Sequence, residues 1–211
     1  MLDIVSVKDK MNNTFKNYTI GKFSIYQDEE LMQMLCAGEV LAFDELYLRY
    51  GKRLMTYFFR MLNYDKRNAQ DALQDLFLKI AENPKAYNSN YAFKTWIFSI
   101  ASNACKNYYR HQQVIQNHQD DIVYNLEQMN QIDLLNSLTQ IDRSTFQNLL
   151  QQALQSLSFE KREAFVLKYQ EDKSIAEIAQ IQNCPEGSVK SRIYYTIKEL
   201  EQKLKIFNPI N

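Results

Sequence analysis

The stretch from Phe93 to Arg110, FKTWIFSIASNACKNYYR, decides how this chain is read. It holds the single tryptophan, five aromatic residues and three cations. At helical spacing Phe93, Trp96, Ile97, Ile100, Ala101, Ala104 and Tyr108 form an apolar stripe, which predicts a helix with that stripe inward. Lys94, Thr95, Ser99, Asn103, Lys106 and Arg110 fall on other faces. Cations suit phosphates, amides suit base edges and rings suit unpaired bases, so the polar side fits a nucleic-acid surface. The same residues also fit an ordinary solvated face, and the segment alone does not separate the two.

The rest of the chain is helical in pattern as well. Gly (4) and Pro (3) are scarce, and hydrophobic residues make up 45% of the 211. Apolar residues recur at i, i+3 and i+4, and no alternating strand pattern stands out, which predicts an all-α fold. Residues 1–27 read as a tail, with local structure possible around Phe15 to Ile25. Asp28 is placed as the N-cap of a helix over EELMQMLCA that Gly38 ends. A longer helix puts Phe43, Leu46, Tyr47, Tyr50, Leu54, Tyr57, Phe58 and Met61 on one face. Another runs from Asn68 to Ala81 and stops at Asn83-Pro84.

Past the opening stretch, residues 112–145 are rich in Gln, Asn and Asp and read as a linker with partial helix. Helical pattern resumes at Phe146, and Ser158 is placed as the cap of a helix reaching about Tyr169. The last unit has a helix-turn-helix signature. Ser174 and Glu177 form a capping box before IAEIAQI, and Asn183 suits a left-handed turn. Pro185 and Glu186 then open SVKSRIYYTIKELEQKL. Val189, Ile193, Ile197, Leu200 and Leu204 face inward there, leaving Lys190, Ser191, Arg192, Tyr194, Tyr195 and Lys198 for solvent or DNA. A short helix, a tight turn and a cationic second helix suit a major groove, although a plain helical hairpin shares the pattern.

Formal net charge is zero, but the zero is a cancellation. Residues 40–111 carry eleven Lys/Arg against six Asp/Glu, whereas residues 112–145 carry one against five. Cys36, Cys105 and Cys184 are far apart and match no zinc spacing, which fits free thiols in a cytoplasmic protein. No run reaches signal-peptide or membrane-span length. The two histidines, His111 and His118, lie in polar surroundings, and no HExxH, phosphate loop or nucleophile elbow is present. No catalytic residue, metal ligand or cofactor is therefore expected, and the chain does not read as an enzyme.

Four blocks in order carry a resemblance. They are DEEL with Gly38-Glu39 and AFDELYLRY; AQDALQDLFLKI; the opening stretch; and ALQSLSFEKREAFVLKYQ followed by AEIAQ and PEGSVKSRI. Together they resemble bacterial sigma factors of the sigma-70 family, extracytoplasmic-function group. The resemblance implies a domain over 28–111 that binds core RNA polymerase and the −10 element. It implies an acidic linker over 112–145, threaded through the polymerase, and a helix-turn-helix domain over 146–207 that reads the −35 element. Residues 208–211 are left as a tail.

The implied polymerase-docking residues are Asp71, Gln74, Asp75 and Leu78. For the −10 element they are Tyr87, Tyr91 and Phe98 as base-capturing rings, with Asn103, Lys106, Tyr109 and Arg110 on the duplex or backbone. Trp96 is assigned mainly to packing. For the −35 element they are Ser188, Lys190, Ser191, Arg192 and Tyr195. The implied partners are core polymerase, promoter DNA and an anti-sigma factor. Two departures stand out. Tyr194, Tyr195 and Thr196 replace cations common in the family, which should make DNA binding weaker and less salt-dependent. Asn107 stands where Asp is frequent. The competing reading is a stand-alone helix-turn-helix regulator, which would have no need of the helix at 69–80.

Overall fold

The computed structural model describes residues 23–119 and 143–205. Among these residues there are eight α-helices, one short 3-10 turn and no strand. The expectations for residues 1–22, for 120–142 of the linker and for 206–211 lie outside the described residues.

The first group holds α1 (Asp28–Cys36), α2 (Val40–Met61), α3 (Lys66–Glu82) and α4 (Phe93–Gln119). The α2 helix buries Phe43, Leu46, Tyr50, Leu54, Tyr57, Phe58 and Met61, the face its 3.6-residue period predicts. Gly38 sits at φ 98° between α1 and α2, a backbone conformation in which glycine carries no side-chain penalty. α3 starts two residues earlier than the spacing suggests, because Asp65 caps it by accepting from the amides of Arg67 (2.8 Å) and Asn68 (3.0 Å).

Asp28 does not act as the N-cap of α1, and Gln27 holds that position. The Asp28 carboxylate instead pairs with Arg49 at 2.7 Å and accepts from the Tyr50 hydroxyl, tying α1 to α2. Glu29 reaches across to accept from the Phe93 amide at 2.8 Å, so α1 fixes the N-terminus of α4. Arg49 also donates to the carbonyls of Phe23, Ser24 and Tyr26, which holds residues 23–26 in place.

The second group holds α5 (Arg143–Gln155), α6 (Phe159–Tyr169), α7 (Ile175–Gln182) and α8 (Glu186–Lys203). Ala153, Leu154, Leu157 and Leu200 form a small cluster of their own. The larger core is continuous across both groups, running from Leu54, Phe58 and Ile97 to Ala164, Leu167, Ile178 and Val189. The two groups thus pack on each other, with α4 between them.

This explains the burial of α4. One stripe, with Phe93, Ile97 and Ala101, is the predicted one. A second, Phe98, Ser102 and Cys105, is fully buried as well. It lies beside groups from the C-terminal half, with Lys173 over Phe98, while Glu163 and Arg162 act on Cys105. Burial, followed by the Glu163 carboxylate, pushes the Cys105 thiol well above its ordinary pKa, which leaves it a buried neutral group.

Candidate nucleic-acid interface

The helix-turn-helix forms as its local chemistry dictates. The Ser174 hydroxyl accepts from the Glu177 amide at 3.2 Å, and Glu177 accepts in return from the Ser174 amide at 2.9 Å. Asn183 turns the chain at φ 51° and ψ 56°. Pro185 is the N-cap of α8, whose buried face is Val189, Ile193, Thr196 and Leu200. Ser188 is half-buried, and Lys190, Ser191 and Tyr195 are exposed. Arg192 differs from the expectation of a free side chain. Its Nη1 donates to Gln182 Oε1 at 2.7 Å and lies 3.1 Å from Cys184 Sγ, so the guanidinium braces the turn.

On the first group, Asp71, Gln74 and Asp75 are exposed along α3, and Leu78 is half-buried beside them. A groove of about 470 Å³ between α3 and α4 brings Asp71 and Asp75 together with Asn103, Asn107 and Tyr108. Arg110 is exposed, with Nη1 donating to Asn107 Oδ1 at 3.1 Å, and Lys106 is half-buried. Tyr91 is exposed, while Tyr87 packs edge-on against Trp96 (5.1 Å) and donates to the Tyr91 carbonyl (2.7 Å).

Two of the expected DNA-facing rings are engaged elsewhere. Phe98 is fully buried, edge-on to Tyr57 at 5.4 Å with Lys173 Nζ 4.5 Å from its centroid. Its ring is a core element in this arrangement. Tyr109 is half-buried, donates to the Met61 carbonyl at 2.6 Å and accepts from Arg162 Nη2 at 2.8 Å.

The sequence reading missed the polar set that joins the two groups. The Tyr57 hydroxyl donates to buried Glu163 at 2.6 Å, and Gln182 donates to the other Glu163 oxygen at 3.0 Å. Arg162 donates to Asn63 Oδ1 at 3.0 Å, Arg53 pairs with Glu171 at 3.1 Å and Lys94 pairs with Glu177 at 2.9 Å. Asn63 lies at φ 57° in the turn after α2, so a left-handed residue forms part of the docking point. Charged residues in α6 are surface residues on any single-sequence reading, and their partners are about a hundred positions away. No local signal marks them.

Burial sets unusual titration here. The Lys173 ammonium is lowered to about 8 by burial, reinforced by Arg53 and Lys94 and opposed by Glu177 and Glu171. For Glu177 burial works upward. Hydrogen bonds from Ser174 and Lys94, with the charge of Lys173, outweigh it and hold the carboxyl at about 2. An amine that binds protons less well when packed costs stability in full below about pH 8, and that cost falls as pH rises from about 8 to 10.5. Between pH 7.5 and 9.5 the urea stability of the wild type should gain about 1–2 kcal/mol relative to Lys173→Met. Parallel pH profiles for the two proteins would contradict this account of Lys173. Glu177 acts in the opposite window: its contribution is present above about pH 4.5 and is lost as pH falls toward 2.

Comparison with known proteins gives two domain matches. Residues 46–114 match the sigma-70 region 2 family and residues 147–200 match sigma-70 region 4. The chain is 27% identical over 183 residues to the RNA polymerase sigma-H factor of Pseudomonas aeruginosa, covering 85% of this chain and 94% of that protein. It is 26% identical over 182 residues to the ECF RNA polymerase sigma-E factor of Escherichia coli, covering 84% and 94%. Among solved structures it resembles the sigma factor RpoE in complex with the anti-sigma factor NepR from Bartonella quintana. The TM-score is 0.60 at 22% identity, over 77% of this chain and 96% of that one. It also resembles CnrH in complex with the cytosolic domain of CnrY, with TM-score 0.61 at 20% identity over 84% and 97%.

Proposed function

The chain belongs to the sigma-70 family of RNA polymerase sigma factors, in the extracytoplasmic-function group, and from that premise we infer that it directs core RNA polymerase to promoters and helps open them. The observation that carries this reading is the pairing, within one chain, of a region 2 match over α2–α4 with a region 4 match over the helix-turn-helix. Phosphodiester synthesis then belongs to the polymerase, and the chain works in the cytoplasm beside it. Among the described residues no helix is long and apolar enough to cross a membrane.

The residues divide the work. The exposed carboxylates Asp71 and Asp75, with Gln74 and Leu78, offer polymerase an acidic face with one apolar contact. Asn103, Lys106 and Arg110, with Tyr87 and Tyr91 at the start of α4, are the set proposed for the −10 element. Tyr109, whose hydroxyl is taken up by the Met61 carbonyl and Arg162, joins it only once Arg162 has released it. Phe98 joins it only when the C-terminal group has moved off its face. Ser188, Lys190, Ser191 and Tyr195 are the set proposed for the −35 element, with Arg192 holding their helix against the turn. An anti-sigma factor is a further partner on this reading, because one similar solved structure, RpoE, is a complex with the anti-sigma factor NepR.

A stand-alone regulator would leave the α3 face unused. Run-off transcription with purified core polymerase separates the two readings. Promoter-dependent transcripts support the sigma reading, and their absence, where another sigma factor works in the same assay, removes it. Asp75→Arg should weaken core binding at least tenfold, since like charges across an interface cost about 1.4 kcal/mol or more. Helical content should stay unchanged, because Asp75 is exposed. Equal retention of mutant and wild type in a pull-down would remove Asp75 from the docking face.

A further inference from the structure

The outer stripe of α8 carries two aromatic rings that the core does not use. Tyr194 and Tyr195 are 61% and 55% exposed, and their rings meet edge to face with centroids 5.3 Å apart. The core side of the helix is filled by Val189, Ile193, Thr196 and Leu200. Lys190 and Ser191 precede the pair on the same stripe, and Lys198 follows it.

The composition of this stripe restricts what it can read. Arg192, the one guanidinium in α8, is held by Gln182 and Cys184, so the stripe has no planar fork to bracket guanine. Thr196 is fully buried. What remains is two ammonium groups, the Ser191 hydroxyl and two phenol rings, each with an edge and a hydroxyl of its own. Ammonium groups match phosphates, and ring edges match the C5-methyl group that thymine presents in the major groove. A wholly apolar protein groove would be a poor match, because it would desolvate Lys190 and Lys198 along with the rings.

We propose that Tyr194 and Tyr195 are specificity-determining residues that read thymine methyl groups in the major groove of double-stranded −35 DNA. This rests on α8 being the −35 reader. The helix rises about 1.5 Å per residue, which places the pair about 12–14 Å along α8 from Glu186, within the part a groove can hold. The ring pair takes the place of a guanidinium reader and shifts preference from guanine to thymine.

The test uses the full chain bound to core polymerase. Duplexes are selected from a pool randomised upstream of a fixed −10 segment, and each thymine of the selected −35 element is then replaced by uracil, which lacks only the methyl group. Selection should enrich A·T pairs. Uracil should weaken wild-type binding about fourfold per contacted methyl, the effect of one buried carbon. Tyr194→Phe should keep that loss, and the Tyr194→Ala, Tyr195→Ala double variant should abolish it. Equal wild-type binding to thymine and uracil duplexes overturns the proposal, as does an undiminished uracil effect in the double variant. In either case weaker binding by Lys190→Ala would keep α8 as the −35 reader. If no upstream sequence is enriched and Lys190→Ala binds as the wild type does, both readings fall.

Discussion

Phe98→Ala should lower the stability of the folded chain by about 3–5 kcal/mol, the range for removing a fully buried aromatic ring. The ring touches both halves of the molecule. Tyr57 meets it edge-on at 5.4 Å, Lys173 Nζ sits 4.5 Å from its centroid and the Arg53 guanidinium lies 5.9 Å away. Truncation therefore leaves a cavity under Tyr57 and deprives a poorly solvated ammonium of its aromatic face. Urea denaturation followed by circular dichroism measures the loss. Phe98→Leu keeps most of the volume and should lose clearly less. An alanine variant with an unchanged midpoint would show that Phe98 is not a core residue, and would return it to the surface expected from sequence.

That contrast shows where sequence reading stops. The helix-turn-helix was legible because its signals are local. Ser174 and Glu177 cap within one turn, Asn183 sits alone at a left-handed position, and Pro185 marks the next start. The inward face of α2 was legible because one helix faces one core. α4 was half legible. Periodicity assigns a helix one buried stripe, whereas a helix lying between two packed units has two, and Phe98 and Cys105 belong to the second. Asp28 shows the same limit at a helix end. Its capping chemistry is real, but Arg49 and Tyr50 compete for the carboxylate and win. The candidate polymerase face on α3 needed the family resemblance, because an exposed Asp has the same local pattern whether it meets solvent or a partner.

The second large effect is expected at Glu163. Replacing it with leucine leaves the buried Tyr57 hydroxyl without its carboxylate acceptor and takes from Gln182 Nε2 one of its two acceptors, the Glu160 carbonyl at 3.0 Å being the other. The cost should be about 2–4 kcal/mol. Burial, then the Glu163 carboxylate, holds the Tyr57 hydroxyl well above its ordinary pKa, so it stays a neutral donor across the working range. Tyr57→Phe should be milder alone, and should cost little more once Glu163 is already leucine. A double-mutant cycle should therefore give a coupling of about 1 kcal/mol or more. Strictly additive losses would mean that the 2.6 Å contact contributes nothing to the joining of the two halves.

The helical groups are joined by a shared apolar core and, beside it, by hydrogen bonds and ion pairs: Tyr57 to Glu163, Arg162 to Asn63, Arg53 to Glu171 and Lys94 to Glu177. Such groups find replacement partners in water when the surfaces separate, so the joined and parted forms differ by far less than the gross count of bonds. Any parted form is populated only to the extent that this difference allows. A partner that engages both groups while they are parted sees only the parted fraction, and its apparent Kd is the intrinsic one divided by that fraction. Every 1.4 kcal/mol by which the joined form is favoured weakens that partner tenfold. A partner that clasps the joined form escapes the reduction entirely, so the strength of the shared core and of these pairs sets the relative standing of competing partners.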